Sequence, residues 1–209
     1  MSSHEAATAW DGLARVYNWQ LPLERRSVAA AVELADVLPH DRVLDVATGT
    51  GAVLMALARL RPPPAVAIGL DSSEEMMARV PSLPAGWSLE RGDVISLPFP
   101  VEQFDVVIAS HVLHLLNPAQ LDRALSEMRR VLKPGGRAVA VTPVAPRSCL
   151  GPPYRRIMDR IAHFSESSLG LRPMDPRPRL PRFGLKPVRA RYVHRGYPSL
   201  CVLARATGW

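Results

Sequence analysis

Short apolar runs alternate with amphipathic segments through the middle of the chain. Four of the five predicted strands are nearly continuous in hydrophobicity and rich in β-branched residues, which is typical of strands buried on both faces of a sheet; residues 88–93 are the exception. The predicted strands are residues 42–48, 65–71, 88–93, 104–110 and 137–142. Because helical patterns separate them, residues 42–142 are predicted to form a parallel α/β sheet with right-handed crossovers.

The segments between the strands carry helix start and stop signals. Proline ends three of the predicted helices, a serine followed by acidic residues begins another, and Pro118 begins the most strongly amphipathic one. The predicted helices are residues 27–38, 52–60, a helix starting near Ser72, and 118–133.

After Thr142 the pattern loosens. Residues 186–193 and 199–206 alternate like strands and flank the turn sequence Arg195-Gly196-Tyr197-Pro198, which predicts an antiparallel hairpin at the sheet edge. A helix is possible over 154–164, and the prolines of 171–182 predict a loop or a short helical turn. At 209 residues the chain is predicted to be a single domain, 1–209.

Charge is distributed unevenly. The formal net charge is +7, but residues 1–142 carry 13 basic and 16 acidic side chains, whereas residues 143–209 carry 13 basic and 3 acidic ones. A basic last third can face nucleic acid, phosphates or an anionic membrane, or can simply be a solvated surface.

Composition excludes several classes of protein. With 47% hydrophobic and 22% charged residues, the chain is not predicted to be disordered. The lack of a membrane-length apolar run and of a signal-peptide pattern predicts a cytoplasmic protein. Two cysteines, Cys149 and Cys201, are too few for a disulfide framework or a four-ligand zinc site, and no metal site is predicted.

The sequence VLDVATGTG, residues 43–51, is the strongest chemical signal. Its glycines follow a buried strand, where they can let the backbone approach a ligand or can simply form a tight strand–helix turn. Leu54 occupies the place of the third glycine of a dinucleotide fingerprint, which disfavours a dehydrogenase. Asp45 inside the strand suits a cationic or amino-bearing ligand better than a pyrophosphate.

Two further acidic residues follow the next predicted strands. Asp71 lies 26 residues after Asp45 and could accept both hydroxyls of a ribose, or could be a charge at a helix N-terminus. Asp93, in Gly92-Asp93-Val94, could reach an adenine amino group.

Taken together, these segments resemble class I S-adenosylmethionine-dependent methyltransferases, in the branch similar to ubiquinone/menaquinone-biosynthesis methyltransferases. The matching segments are VLDVATGTG, GLDSSEEMM, GDVISLPFP followed by FDVVIAS, and LDRALSEMRRVLKPGGR. The resemblance covers residues 40–142, with Ala47 in place of the commonest glycine. It implies an α/β Rossmann-like three-layer sandwich, with a mostly parallel seven-stranded sheet and an antiparallel C-terminal hairpin.

The resemblance also implies a set of cofactor-binding residues. They are Tyr17, Asp45, Ala47, Thr48, Gly49, Thr50, Gly51, Asp71, Ser72, Met76, Asp93, Val94, Ser110 and His111. By this correspondence the glycine turn lines the methionine part of S-adenosylmethionine, with Asp45 near its amino group and Asp71 at the ribose. Ser72 and Met76 would flank the adenosine, and Asp93 with Val94 would bracket the adenine. Ser110 and His111 would face the sulfonium and the acceptor.

Methyl transfer requires alignment of donor and acceptor, and a base only when the acceptor must lose a proton. The candidate bases are His111 and His114, which share one face if the chain turns helical there. Tyr17 resembles a residue of the N-terminal helix that closes over the cofactor in the family, although Asn18 departs from the usual aspartate.

The function predicted is methyl transfer to a small-molecule or lipid-like acceptor. Residues 40–142 would bind the cofactor, residues 1–25 would form a lid, 143–182 an acceptor-side insert, and 183–209 the closing strands. The insert mixes aromatic and cationic residues, and the basic third allows peripheral contact with an acidic membrane surface. Quinone-ring C-methylation and phosphatidylethanolamine-type N-methylation both remain open. The alternatives are methylation of RNA or protein, which the lack of an RNA-binding module disfavours, and a catalytically silent cofactor-binding module.

Overall fold

The computed structural model describes residues 21–144 and 173–208. Within these two ranges the chain forms four α-helices, seven strands and two short 3₁₀ turns, at Leu113–Leu115 and Leu180–Phe183. In chain order the helices and strands are α1 Leu21–Ala35, β1 Arg42–Val46, α2 Ala52–Leu57, β2 Val66–Asp71, α3 Glu74–Met77, β3 Ser88–Arg91, β4 Phe104–Ser110, α4 Pro118–Val131, β5 Leu132–Pro143, β6 Leu185–Val193 and β7 Ser199–Ala206.

The strands form one seven-stranded sheet in the order β3-β2-β1-β4-β5-β7-β6. The first five pair in parallel, and β7 pairs antiparallel with both β5 and β6. The predicted mostly parallel sheet with an antiparallel C-terminal hairpin is therefore confirmed. Because β6 runs in the same direction as the five parallel strands, all six end at one edge, which we call the carboxyl edge.

Successive strand residues face opposite sides of the sheet, which produces two apolar layers. Val106 and Ile108 pack with α1 and α2, whereas Val107 and Ala109 pack with α4. This alternation explains why β1, β2 and β4 read as continuous apolar runs in the sequence: both faces of these strands are covered, whereas the edge strand β3 is partly exposed. The three-layer arrangement follows directly.

The limits of several elements differ from those predicted, each for a local reason. Helix α1 begins earlier than residue 27 and ends at Ala35, since Asp36 adopts a left-handed φ of 48°. Helix α2 ends at Leu57, because the N–H groups of Arg59 and Leu60 bond to carbonyls three residues back and tighten the last turn.

Two other boundaries shift at the ends of strands. Strand β3 ends at Arg91, and Asp93 instead pairs with Ser96 in an isolated bridge. Helix α4 ends at Val131, where Leu132 already has extended geometry, so the Pro134-Gly135-Gly136 sequence lies inside β5. The predicted helix at 154–164 lies outside the described residues. The predicted lid and most of the predicted insert do so too.

Strand β6 explains part of the basic excess near the C-terminus. It is an edge strand that contains Pro187 and exposes Lys186, Arg189 and Arg191. Charged residues and proline on an edge strand prevent it from pairing with another chain. Among the helices in the described ranges, no segment is long and apolar enough to cross a bilayer.

Candidate active site

The turn between β1 and α2 contains two glycines with left-handed backbone, one of which approaches its surroundings closely. Gly49 and Gly51 have φ angles of 55° and 82°, and Ala47 is also left-handed at 57°. A Cβ atom on Gly51 would lie 2.8 Å from a Val80 methyl group, and one on Gly49 would lie 3.6 Å from Met76 Cε. Glycine is therefore required at 51 by both backbone conformation and space.

Asp45 is a buried acid, only 1% exposed, just before this turn. Its Oδ2 accepts a 2.6 Å hydrogen bond from Thr48 Oγ1, whereas Oδ1 has no partner within the described ranges. Burial raises the pKa of Asp45 to about 7, with the Asp71 charge adding to the rise and the Thr48 hydrogen bond opposing it. A buried carboxylate with an unused oxygen is a site for a cationic hydrogen-bond donor.

Asp71 ends β2 and connects two loops of the carboxyl edge. Its Oδ2 accepts from the Gly49 N–H at 2.7 Å, and its Oδ1 accepts from the Ser73 N–H at 2.9 Å. These two bonds fix the orientation of the carboxylate. Asp71 therefore lies beside the glycine turn, with its carboxylate held in place.

The remaining predicted adenosine-side residues lie on the two adjacent loops. Met76 is buried on α3, and Ser72 is half-buried before it. The N–H of Gly92 bonds to the Asp71 carbonyl at 2.9 Å, which brings the loop carrying Asp93 next to Asp71. Asp93 Oδ1 accepts from the Ile95 N–H at 3.1 Å, whereas Val94 packs in the core on the α4 side.

His111 and His114 lie together after β4. Ser110 ends the strand half-buried, His111 follows with a φ of 55°, and its N–H bonds to the Val141 carbonyl at 2.9 Å. His114 lies in the 3₁₀ turn that follows. The two imidazole rings are 6.3 Å apart and nearly perpendicular, and they are 6% and 4% exposed.

The hydrogen bonds of Ser27 on α1 determine which nitrogen of His111 carries the proton. Ser27 Oγ donates to the Glu24 carbonyl at 2.8 Å, so its only proton is used. His111 Nε2, 3.1 Å from the same Oγ, must then be the protonated nitrogen that donates to it. Nδ1 keeps its lone pair, and this buried atom has no hydrogen-bond partner in the described part of the chain.

Burial keeps both imidazoles neutral at neutral pH. It lowers the pKa of His111 to about 3, helped by the neighbouring His114, and it lowers the pKa of His114 to about 4. Neither ring nitrogen of His114 has a hydrogen-bond partner among residues 21–144 and 173–208. The pair therefore offers unused proton-accepting atoms in a dry environment.

Sequence reasoning missed Ser27 and Tyr197 as neighbours of His111. The Tyr197 ring centroid is 5.5 Å from that of His111, and the backbone N–H of Tyr197 bonds to the Leu23 carbonyl at 3.0 Å. Burial and the charge of Glu24 raise the pKa of Tyr197 to about 12, so the phenol stays protonated. The only sequence signal was polar residues on the apolar face of α1; Ser27 and His111 are 84 residues apart.

The predicted lid residue Tyr17 and the two cysteines are not part of the site described above. Tyr17 and Cys149 lie outside the described residues. Cys201 is a buried free thiol whose pKa burial raises to about 12, and no group of three metal-ligating side chains occurs in the described ranges.

Comparison with known proteins decides the family. A family model for a methyltransferase domain matches residues 43–136. A demethylmenaquinone methyltransferase from Thermus thermophilus is 35% identical over 167 residues, which cover 77% of this chain and 73% of that protein. The chain belongs to the S-adenosylmethionine-dependent methyltransferases. The resemblance stated from the sequence is confirmed, and the cofactor of this methyltransferase is S-adenosylmethionine.

Other comparisons agree at the level of sequence and fold. A ubiquinone/menaquinone biosynthesis C-methyltransferase from Geobacter sulfurreducens is 39% identical over 160 residues, or 73% of this chain. This match spans only 59% of the Geobacter protein's length. The solved structure of an S-adenosylmethionine-dependent methyltransferase from Thermotoga maritima superposes with a TM-score of 0.70 at 17% identity, covering 96% of this chain and 99% of that one. At that identity the superposition shows the shared fold of the methyltransferase.

Proposed function

We propose that this chain transfers a methyl group from S-adenosylmethionine to a ring carbon of a hydroquinone that carries an apolar side chain. The observation that carries the proposal is the buried His111 Nδ1, a lone pair without a partner in the described ranges, at the sheet edge that also carries the buried Asp45. The relatives named for ubiquinone and menaquinone biosynthesis support the acceptor class.

The residues of the glycine turn fit the methionine part of the cofactor. S-adenosylmethionine carries an ammonium group, and Asp45 Oδ1 is an unused acceptor on a carboxyl group whose pKa burial raises to about 7. The ammonium would draw Asp45 into its charged form. Gly49, Thr50 and Gly51 would line the same part of the cofactor.

The loops after β2 and β3 fit the nucleoside part. Asp71 is fixed by two backbone N–H groups, and its carboxylate would accept from the ribose hydroxyls. Ser72 and Met76 would flank the adenosine, and Asp93 with Val94 would bracket the adenine.

His111 is suited to accept the proton of the ring carbon as the methyl group is transferred, and not a phenolic proton beforehand. The bound cofactor would supply the methyl group of its sulfonium and be left as a neutral thioether. The ring that receives the methyl group gains positive charge, which makes the hydrogen already on the methylated carbon strongly acidic. An imidazole whose pKa is about 3 is too weak a base to remove a phenolic proton, but it can accept this acidic one at Nδ1. The Ser27 hydroxyl holds the opposite nitrogen and so keeps Nδ1 as the proton acceptor.

Tyr197 and His114 supply groups that can hold the ring oxygens. The protonated Tyr197 phenol can donate to a ring oxygen, and the neutral His114 can accept from a ring hydroxyl. Half-buried apolar residues after β4 and β5, including Leu116 and Val144, can contact the apolar part of the acceptor.

Transfer of labelled methyl groups tests the proposal. We expect methylation of a short-chain prenylated hydroquinone kept reduced with dithionite, and none of the oxidised quinone, because the oxidised ring is electron-poor. Phosphatidylethanolamine and RNA serve as competing acceptors. Methylation of either in preference to the hydroquinone, or equal transfer to the quinone, would contradict the proposal. His40→Asn, a change at an exposed histidine, is the control for the His111→Asn enzyme.

A further inference from the structure

We infer that a basic groove between α1 and the end of β6 binds the phosphate headgroups of anionic phospholipids. In this way it docks the enzyme on the membrane in which its acceptor dissolves. The inference rests on the proposed function, because it identifies where a lipid-like acceptor reaches the site.

The groove is formed by one stripe of α1 and by the chain leaving β6. Arg26, Ala29, Ala30 and Glu33 recur at helical spacing along one wall, and residues 191–195 form the other. The small alanine side chains leave an opening of about 450 Å³ between arginine-bearing walls. That space fits a phosphate headgroup.

The groove is lined by more basic than acidic side chains, and Glu33 is its one acidic lining residue among those described. Arg191 forms an ion pair with Glu33. Arg26, His194 and Arg195 are exposed, and none of them has an ion-pair or hydrogen-bond partner among the described residues. Two arginines and a histidine therefore remain available to an anion.

The groove lies on the outer side of the elements that hold the acceptor-side residues. Strand β6 ends at the carboxyl edge, and Arg26 directly precedes Ser27, the partner of His111. The turn after β6 contacts the first turn of α1, since the Tyr197 N–H bonds to the Leu23 carbonyl. A Cβ on Gly196 would lie only 2.3 Å from that same carbonyl oxygen, so the contact requires glycine.

Nearby side chains favour a membrane over a nucleic acid or a free phosphate. Leu23, 48% exposed, adjoins Arg25 and Arg26 at the start of α1, an arrangement that can insert an apolar side chain between lipid headgroups. The Tyr192 ring packs edge-on against His194, with the ring centroids 4.2 Å apart, so a base that stacked on Tyr192 would compete with this contact.

Vesicle flotation tests the inference with the full chain. We compare vesicles of phosphatidylcholine alone with vesicles containing phosphatidylglycerol, using wild type and the Arg26→Gln/Arg195→Gln variant. The control is Arg59→Gln/Lys186→Gln, which removes two exposed charges at the opposite edge of the sheet. A basic side chain near an anionic surface changes binding about fivefold, so the groove variant should bind roughly 25-fold more weakly. The control variant should lose no more than a few-fold.

Several outcomes would overturn the inference. They are absence of wild-type binding to the anionic vesicles, an equal loss in both variants, and displacement of the vesicles by millimolar inorganic phosphate. Binding of an RNA oligonucleotide that the groove variant loses, without a change in vesicle binding, would also overturn it. The assay uses neither cofactor nor acceptor, so its failure is distinct from failure of methyl transfer. Turnover of a short-chain hydroquinone in detergent-free buffer should be equal in all three proteins.

Discussion

The carboxyl edge of the sheet has two halves, in which burial shifts the pKa of a key side chain in opposite directions. We call them the cofactor half and the acceptor half, in the order in which they are described next. In the half formed after β1, β2 and β3, burial raises the pKa of Asp45 to about 7. In the half formed by α1, the end of β4 and the turn before β7, burial lowers the pKa of His111 to about 3. In both cases the dry interior favours the neutral form of the side chain. The neutral carboxyl group of Asp45 keeps its proton until a cation binds beside it, whereas the neutral imidazole of His111 keeps one nitrogen unprotonated. One physical cause thus prepares one half for a charged cofactor and the other for a proton released by the acceptor.

Removing the base should produce the largest change and should affect only the acceptor half. His111→Asn keeps a polar side chain but cannot accept a proton, so kcat should fall about 10²- to 10⁴-fold. The affinity for S-adenosylmethionine should change less than twofold. Steady-state kinetics with labelled cofactor gives both values. Retention of near-normal kcat would remove His111 from the chemistry, and the His40→Asn enzyme shows what a histidine change alone does.

Neutralising the buried acid should affect the cofactor half alone. Asp45→Asn removes a charged acceptor, so the Kd for S-adenosylmethionine should rise about 10- to 100-fold. Wild type should release a fraction of a proton on binding at pH 7, because the ammonium converts the protonated part of Asp45 to the charged form. Calorimetry in buffers of different ionisation enthalpy measures that proton. Asp36→Asn is the matched control, since this exposed residue has a left-handed backbone that asparagine tolerates. An unchanged proton release in Asp45→Asn would contradict the assignment.

The two halves should contribute to stability with opposite dependence on pH. The pKa values of His111 and His114 are lowered from 6.5, so the unfolded state binds their protons first. Their stabilisation is complete above pH 6.5 and is lost as pH falls, by about 1.4 kcal/mol per pH unit for each residue. Asp45 has the opposite effect because its pKa is raised from 3.8. The unfolded state loses this proton first, so the free energy of unfolding falls as pH rises from 3.8 to about 7.

Urea unfolding between pH 5 and 6.5 separates these contributions. Relative to wild type, Asp45→Asn should steepen the rise of unfolding free energy with pH by about 1.4 kcal/mol per unit, and should be more stable at pH 7. The His111→Asn/His114→Asn variant should lower that slope by about twice as much. Parallel curves for all three proteins would show that these groups are not buried in the manner described.

The smallest effect should come from the residue that orients His111. Ser27→Ala removes the hydroxyl that accepts from Nε2, and a hydrogen bond of about 0.5–1.5 kcal/mol corresponds to a roughly 2- to 12-fold fall in kcat. Ser27→Thr keeps the hydroxyl and should restore most of that loss, with cofactor affinity unchanged throughout. A loss that threonine does not restore would indicate a packing role for Ser27.

The two halves also differ in how far the sequence could predict them. The cofactor half is built from strand–turn units, each carrying its acid and glycines within a few residues, so VLDVATGTG and Asp71 are readable as a local pattern. The acceptor half depends on contacts between distant segments: Ser27 contacts His111, which lies 84 residues later in the sequence, and Tyr197 lies in the turn of the C-terminal hairpin. No local periodicity encodes such contacts.

The strand pattern predicted the sheet well because burial on both faces leaves a continuous apolar run. Helix ends were less predictable where hydrogen bonding decided them. Helix α2 tightens at Arg59 and Leu60 before the prolines are reached, and α4 passes directly into β5 at Leu132. The proposed role of Tyr17 stays a prediction, since that residue lies outside the described ranges.

Single-turnover methyl transfer to the hydroquinone, measured against cofactor concentration, tests the division of labour most directly. At saturating S-adenosylmethionine, Asp45→Asn should approach the wild-type rate, because its defect is one of binding. His111→Asn should stay slow at every concentration. A rate for Asp45→Asn that stays low at saturation, or a His111→Asn rate that excess cofactor restores, would contradict the account.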